Sequence, residues 1–315
     1  MHQTSEVAPG IFEILIRSAG TPPLPGMGGA GGSQFAAWLL TGDSPTLIEP
    51  GPTVAAKEAL QAVEELGYDP DSIQYLVPTH VHVDHGGGCG WVAQQLPRLK
   101  VAVHSRGAKH LLDPSRLIQS TAMVFGERWE EGFGPILPVP KDRLLVHEEG
   151  DALPLGGRRH RFYYAPGHAP HHWAIFDEER RILYCGEALG QPALDSTLVG
   201  PPTSPPLFEL DDAIKTIEKL GKLEIAQLLY SHFGHGRRAP REAIAEVDRS
   251  TREFAGIIRQ SFSDGLDPKA IDKRLQEWCD RNGYPPRRSF QGTIQPYLAY
   301  FKRQSQSAQP HPRAN

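Results

Sequence analysis

Short apolar runs separated by turn residues dominate the first third of the chain and predict β-strands. The runs of strand length lie at residues 12–17, 35–40, 46–49 and 73–79. Between the last two, residues 52–67 change to a helical spacing of apolar positions, carried by Val54, Leu60, Val63 and Leu66. Gly67 suits the end of this predicted helix, because glycine adopts the left-handed conformation that often follows a last turn.

The alternation of strands and helices continues to residue 240. A short helix is predicted at 91–96, a strand at 100–104, and a partly helical stretch at 110–134. Further strands are predicted at 159–164, 173–176, 181–185 and 227–230, with a helix at 209–220. Two series of strands, each completed by helices, predict two sheets packed face to face with helices on the outside.

The pattern becomes purely helical after residue 240. Helices are predicted at 241–262, 268–279 and 291–301, with breaks at Gly265 and at residues 284–286. The chain therefore divides into a domain of strands and helices at 1–240 and a C-terminal helical extension at 241–303. Residues 304–315 are polar, contain proline and are predicted to be disordered.

Two segments rich in glycine and proline interrupt the regular pattern. Residues 20–32 are predicted to form a loop, which is either a connector or a mobile lid over a functional site. Residues 191–206 are predicted to form a long rigid loop that shapes one wall of a pocket.

Composition narrows the class of protein. With 315 residues, 39% hydrophobic and 22% charged, the chain can bury a large core in the manner of soluble globular proteins. A net charge of −4 without a long basic run argues against a nucleic-acid surface. We find no signal pattern at the N-terminus and no apolar run of the ~20 residues that a membrane helix needs. The three cysteines are widely spaced and indicate no disulfide framework, so we expect a cytoplasmic protein.

Four candidate metal ligands occur within one short stretch, His80-Val81-His82-Val83-Asp84-His85. Residues two apart at a strand end point to the same side, so His80 and His82 can converge on one ion. Three glycines follow at residues 86–88 and allow a tight backbone path away from the site. Imidazole and carboxylate donors together suit zinc or iron better than calcium or magnesium.

This stretch resembles the T-H-x-H-x-D-H-x-G-G motif of glyoxalase II-like hydrolases and lactonases in the metallo-β-lactamase superfamily. Four other segments resemble motifs of that family in the expected order: residues 47–51, 165–172, 183–187 and 229–234. The resemblance covers residues 7–240 and implies an α+β fold, an αββα sandwich with its metals at one sheet edge.

The resemblance also implies two divalent metal ions, for which zinc is expected and iron or manganese are alternatives. The ligands would be His80, His82 and His168 for the first ion, and Asp84, His85 and His232 for the second. Three protein ligands per ion leave a position open for water. Hydroxide formed there would attack a carbonyl, and Asp84 would orient this nucleophile or carry its proton.

Two glutamates depart from the family pattern, which has aspartate at both positions. Glu187 stands at the place of the bridging carboxylate, and three roles remain open for it. It bridges both ions, binds one of them, or supports the ligands of a mononuclear site. Glu49 is expected to brace the ligand loop through hydrogen bonds rather than to bind metal.

Alternative roles are open for other polar residues near these motifs. His171 and His172 either line the substrate pocket or form loop hydrogen bonds. His235 is an alternative to His232, which we prefer because it directly follows a predicted strand. Cys89 and Cys185 are expected to be small buried residues rather than ligands.

The function expected from this resemblance is hydrolysis of a small ester, thioester or lactone. A phosphodiesterase, a non-catalytic metal sensor, and an iron-dependent redox enzyme similar to persulfide dioxygenases are alternatives on the same fold. The expected partner is a small molecule rather than nucleic acid or a membrane. The C-terminal helices either cap the pocket or form a homodimer interface.

Overall fold

The computed structural model describes residues 1–17, 34–192, 198–204, 207–285 and 289–307. Within these residues, two sheets pack face to face. The first sheet contains seven strands whose order in space follows the chain: β1 (His2–Ala8), β2 (Ile11–Arg17), β3 (Gln34–Leu40), β4 (Thr46–Ile48), β5 (Tyr75–Val77), β6 (Lys100–His104) and β7 (Leu144–His147). The strands pair antiparallel from β1 to β4 and parallel from β4 to β7.

The second sheet contains five strands. Their ranges, with those of a separate two-stranded hairpin, are β8 (Ala152–Leu155), β9 (Arg158–Tyr164), β10 (Trp173–Asp177), β11 (Ile182–Gly186), the hairpin strands β12 (Gln191–Pro192) and β13 (Val199–Gly200), and β14 (Gln227–Tyr230). The order in the sheet is β14-β11-β10-β9-β8, and only the β11–β14 pair is parallel.

The helices lie outside the sheets. They are α1 (Thr53–Glu65), α2 (Cys89–Gln95), α3 (Ser105–Leu112), α4 (Ser115–Phe125), α5 (Trp129–Phe133), α6 (Leu210–Leu220), α7 (Pro240–Ser263), α8 (Pro268–Arg281) and α9 (Gln291–Ser307). Among the described residues, every helix is too short or too polar to cross a membrane.

Three apolar clusters hold the layers together. Between the sheets, Trp38 and Ile48 of the first pack against Phe162 and Trp173 of the second. The rings of Phe162 and Trp173 stack with their centroids 4.1 Å apart. Apolar residues of α1 and α2 cover the outer face of the first sheet, and those of α6 and α7 cover the second. This arrangement is the predicted αββα sandwich.

The C-terminal helices share a core with the sandwich. Phe254, Trp278 and Tyr297 from α7, α8 and α9 lie in one buried cluster with Phe208 and Leu210, which stand before and within α6. The edge of the Tyr297 ring contacts Phe208 at a centroid distance of 4.9 Å. The extension is therefore packed against the sandwich rather than held apart from it.

The structure corrects several predicted elements. Strands β1, β7 and β8 were not predicted, and the strand expected at 73–79 contains only Tyr75–Val77. Helix α9 reaches Ser307, past the predicted start of disorder at residue 304, while residues 308–315 lie outside the described chain. The predicted loop at 191–206 contains the β12–β13 hairpin. The loop predicted at 20–32 lies outside the described residues.

Candidate metal centre

The candidate ligands stand directly after strands at one edge of the sandwich. The segment 80–85 follows β5, and Glu49 follows the parallel neighbour β4. In the second sheet, Glu187 follows β11 and His232 follows its parallel neighbour β14. Because the carboxyl ends of neighbouring parallel strands lie at the same sheet edge, residues far apart in sequence meet here.

The seven predicted ligands form two groups that share one residue. The first group is His80, His82, His168 and Glu187, and the second is Asp84, His85, His232 and Glu187. In each group, one donor atom from every residue lies within 4.8 Å of the others. In the first group, His82 Nδ1 is 3.0 Å from His80 Nε2 and 3.2 Å from His168 Nε2. The division into groups matches the one predicted from the sequence.

The Glu187 carboxylate lies between the two groups. Its Oε2 is 3.0 Å from His168 Nε2 and 3.6 Å from His80 Nε2 in the first group. The same oxygen is 2.9 Å from His85 Nε2 in the second group. Its Oε1 is 3.9 Å from His232 Nε2 and accepts a hydrogen bond from the Gln191 amide. One carboxylate therefore reaches donors of both groups.

A break in the β11–β14 ladder places Glu187 at this position. The pairing shifts between Tyr184 and Gly186, so β11 carries an extra residue just before the glutamate. Gly186 has a φ of +55°, and a Cβ there would lie 2.5 Å from Thr79 Oγ1. Only glycine fits this close approach, and the backbone turns there to direct Glu187 into the cluster.

Hydrogen bonds from outside the groups fix the orientation of the imidazoles. Glu49, as predicted, is not in either group: its Oε2 is 2.5 Å from His85 Nδ1, and its Oε1 accepts the Thr79 N–H. The Thr79 hydroxyl is 3.1 Å from His80 Nδ1. His232 Nδ1 lies 3.3 Å from the Gln34 carbonyl oxygen. Glu49 holds this place with a φ of +61°, an unfavourable conformation for a residue with a side chain.

The three additional histidines have different positions. His172 Nε2 accepts the backbone N–H of Glu187 at 3.1 Å, and its ring stacks on His80. The His171 ring lies 5.5 Å from His82 and accepts the Val81 N–H. His235 is in neither group and contacts Glu13 instead, which removes it as an alternative to His232 in the cluster.

Cys89 and Cys185 are buried and also lie outside both groups. Burial raises the pKa of each thiol well above its ordinary value. The Cys185 thiol donates to the Leu229 carbonyl at 3.3 Å. Both cysteines are therefore packed residues of the sandwich, as the sequence predicted.

Burial and neighbouring charge set the protonation of the cluster. Burial, followed by the nearby His168 imidazole, lowers the pKa of His82 to about 3. Burial and then His85 lower the pKa of His80 well below its usual range. For Glu187, burial alone would raise the pKa, but His168 and His85 outweigh it and lower the pKa. His80 and His82 are therefore neutral and Glu187 is ionised, which are the forms that bind metal. In the second group, burial lowers the pKa of His85, but Asp84 and Glu49 outweigh it and raise this pKa well above its ordinary value.

The donor spacing and the buried polar atoms fit divalent metal ions. Around a tetrahedral zinc ion with Zn–N distances of about 2.0–2.1 Å, neighbouring donors are about 3.3 Å apart. The 3.0–3.2 Å contacts of His82 agree with this spacing. His232 Nε2 is buried and has no hydrogen-bond partner in the described part of the chain. A buried polar atom without a partner is costly, and coordination to an ion would satisfy it.

Two polar residues that contact the cluster or its last loop were not predicted from the sequence. Glu13 on β2 is buried, and its carboxylate accepts the His235 N–H at 2.7 Å, just after the turn that follows His232. A charged residue within the apolar run of β2 was a visible signal for such a role. Gln191 contacts Glu187 through its amide, and nothing in the sequence marked it out from the loop around it.

Comparisons with known proteins agree with this geometry. The family model of the metallo-beta-lactamase superfamily matches residues 30–232. A metallo-beta-lactamase fold-containing protein of Sulfurisphaera tokodaii is 27% identical over 167 residues, which cover 52% of this chain and 62% of that protein. An acyl-coenzyme A thioesterase of Gallus gallus is 28% identical, covering 50% of this chain and 55% of the relative. Hydroxyacylglutathione hydrolase GloC of Haemophilus influenzae is 26% identical, covering 48% and 64% respectively.

The chain thus spans between about half and two thirds of the length of these curated relatives. Among solved structures, a metallo-beta-lactamase family protein of Thermus thermophilus has the same fold, with a TM-score of 0.62 and 24% identity. The superposition covers 80% of this chain and 83% of that one. Because the family model matches residues 30–232, which is more than half of the chain, the chain belongs to the metallo-beta-lactamase superfamily.

Proposed function

We propose that this chain is a metal-dependent hydrolase that cleaves a small ester, thioester or lactone. The observation that carries the proposal is the pair of donor groups joined by the Glu187 carboxylate, each with three further ligands. We propose two ions, with zinc preferred, since neutral imidazoles and carboxylates suit it. His80, His82 and His168 would hold one ion, and Asp84, His85 and His232 the other.

A bound divalent metal supplies Lewis acidity, which lowers the pKa of water from ~15.7 to about 7 and polarises a carbonyl oxygen. The protein's own residues then have distinct tasks. Asp84 is the most exposed side chain of the second group, at 16% against 8% for His232 and 6% for Glu187. Its carboxylate would therefore be reached by the attacking water, which it would orient and whose proton it would carry.

The buried shell around the groups would keep the ligands in place during the reaction. Glu49 fixes the His85 ring, and the Thr79 hydroxyl contacts the His80 ring. A carboxylate behind a ligating imidazole raises its basicity and fixes which ring nitrogen is protonated. Such preorganisation reduces the reorganisation needed when charge develops on the substrate carbonyl.

Two relatives support the thioester part of the proposal. The acyl-coenzyme A thioesterase and the hydroxyacylglutathione hydrolase are similar to about half of this chain. Their identities of 28% and 26% support the reaction class.

The direct test is elemental analysis of protein purified without added metal, followed by assays on panels of lactones, thioesters and esters. We expect two zinc ions per chain and hydrolysis that a chelator removes. Substituting His82→Ala should abolish metal-dependent turnover, because His82 Nδ1 is central to the first group. Circular dichroism of this variant should match that of the original protein, since the side chain stands in a loop at the sheet edge.

The matched control is His2→Ala, which removes a histidine that contacts Glu58 and Glu65 on α1, far from the cluster. Its turnover should equal that of the original protein. Iron with oxygen consumption and no hydrolysis would replace the proposal with the redox alternative. Full hydrolysis by the His82→Ala variant would contradict the ligand assignment.

A further inference from the structure

The two oxygens of the Glu187 carboxylate have different partners. Oε2 faces the imidazoles of His85 and His168 at 2.9 and 3.0 Å. Oε1 accepts the hydrogen bond of the Gln191 side-chain amide. An amide N–H donates and cannot bind a cation, so this contact assigns Oε1 to the protein and leaves Oε2 for the ions.

A glutamate at this position needs such a partner more than an aspartate would. It has one more rotatable bond, so its carboxylate can take more orientations, and fixing it costs more side-chain entropy. The side chain is 6% exposed, and Oε2 already faces the imidazoles of His85 and His168. The amide of Gln191 adds to this arrangement, because it holds the other oxygen, Oε1.

The backbone of Gln191 is itself held on both sides. Gln191 pairs with Gly200 in the β12–β13 hairpin. On the preceding side, the Gly190 N–H donates to the Glu187 carbonyl at 3.0 Å. A Cβ at Gly190 would collide with the Gly200 carbonyl oxygen, so this tight turn requires glycine.

The C-terminal extension anchors the other strand of this hairpin. The carbonyl oxygen of Val199 accepts hydrogen bonds from the hydroxyls of Tyr284 at 3.1 Å and Ser250 at 3.3 Å. The Tyr284 hydroxyl also contacts the buried Glu246 carboxylate of α7. Contacts therefore run without interruption from the extension through the hairpin and Gln191 to Glu187.

We propose that Gln191 is a positioning residue: it binds Glu187 Oε1 and thereby holds Oε2 between the two donor groups. The inference rests on the proposed metal-binding function. It also gives the C-terminal extension a task at the metal centre, since the extension fixes the hairpin that carries Gln191.

The test is a zinc titration of the full-length, chelator-stripped protein in competition with a chromophoric chelator. Gln191→Met keeps the length of the side chain and removes its donor. We expect it to weaken zinc affinity about 10-fold or more, the range found when a group that orients a ligand is lost. Gln191→Asn should also weaken zinc affinity, because its side chain is one methylene shorter and its amide does not reach Glu187. Cobalt spectra of both variants should show altered coordination.

A double-mutant cycle separates this role from a general effect on folding. Glu187→Asp withdraws the carboxylate from the reach of Gln191 and weakens binding by itself. Adding Gln191→Met to Glu187→Asp should then cause little further loss, because residues that act through one contact are not additive. Gln74→Met, which removes an amide contact with the Asp43 carbonyl at the opposite end of β5, should leave zinc affinity unchanged.

Unchanged affinity in both Gln191 variants would overturn the inference while leaving the proposed function intact. Equal losses from Gln191→Met in the original protein and in the Glu187→Asp variant would also overturn it, since Gln191 would then act elsewhere. Original protein that takes up no zinc would overturn the proposed function, and the inference with it.

Discussion

The two donor groups of the centre differ in charge and in what stands behind them. The first group has three imidazoles. The second ring nitrogen of His80, Nδ1, contacts a neutral group, the Thr79 hydroxyl. His168 Nδ1 is buried and has no hydrogen-bond partner within the described ranges. The second group includes the Asp84 carboxylate, and its His85 is backed by a second carboxylate, that of Glu49.

This difference indicates which of the two ions the chain would bind with higher affinity. Anionic ligands attract a cation more strongly than neutral ones, and a carboxylate behind an imidazole increases the basicity of the ring. Both effects favour the second group, while Glu187 belongs to both groups. We therefore expect zinc to be lost in two steps on chelation, first from the imidazole group and then from the Asp84 group.

The largest effect on the difference between the two groups is expected from the substitution Asp84→Ala. The second group would lose its own carboxylate, so we expect zinc content to fall from two ions to one. Turnover should fall by about 10²-fold or more, the usual effect of losing an acid–base group. Elemental analysis and initial rates on the best substrate measure both effects. The exposed Asp142→Ala variant is the control, and two retained ions in Asp84→Ala would refute the assignment.

A second substitution keeps every candidate ligand and changes only the carboxylate that contacts His85. Glu49→Gln retains an oxygen for the Thr79 N–H and presents an amide, rather than a carboxylate, to His85 Nδ1. We expect a loss of about 10-fold to 100-fold in zinc affinity, confined to the tighter step of the titration. Glu64→Gln on the exposed face of α1 should change neither step. An equal loss in both steps would contradict the proposed division.

The smallest effect is expected on the imidazole side. Thr79→Val has nearly the same shape and removes the hydroxyl that contacts His80 Nδ1. A neutral hydrogen bond contributes about 1 kcal/mol, so we expect roughly fivefold weaker binding in the weaker step. Thr251→Val, whose hydroxyl contacts the Val247 carbonyl within α7, tests the same change away from the centre. If Thr79→Val weakened zinc binding in the tighter step instead, the assignment of Thr79 to the imidazole group would be wrong.

The sequence predicted which residues meet in the cluster better than it predicted the edges of the sheets. His80, His82, Asp84 and His85 are adjacent in sequence and follow a strand, so their spacing alone indicated a metal cluster. Strand β1 is different, because its residues are mostly exposed and polar and give no periodic apolar signal. Strand β8 is an edge strand containing Pro154, a residue that argues against a strand on propensity alone.

The supporting contacts could not be predicted because their partners are distant in sequence. Glu13 meets His235 across more than two hundred residues, and the pairing depends on how β2 and the last loop approach each other. Gln191 contacts Glu187 only because of the turn at Gly190 and the hairpin that follows it. Local pattern predicts which residues can bind metal, but the folded chain decides which side chains orient them.

The last ligand loop also joins the two sheets: the Ala36 N–H of β3 donates to the Ser231 carbonyl at 2.8 Å, beside His232. Bound ions would act as a removable cross-link between two halves of the polypeptide. One half supplies the segment His80–His85, and the other supplies His168, Glu187 and His232. Like a disulfide, such a cross-link closes large loops and restricts the denatured chain. Unlike a disulfide, it opens under a chelator, so the resistance of the whole sandwich to heat would follow the supply of metal around it.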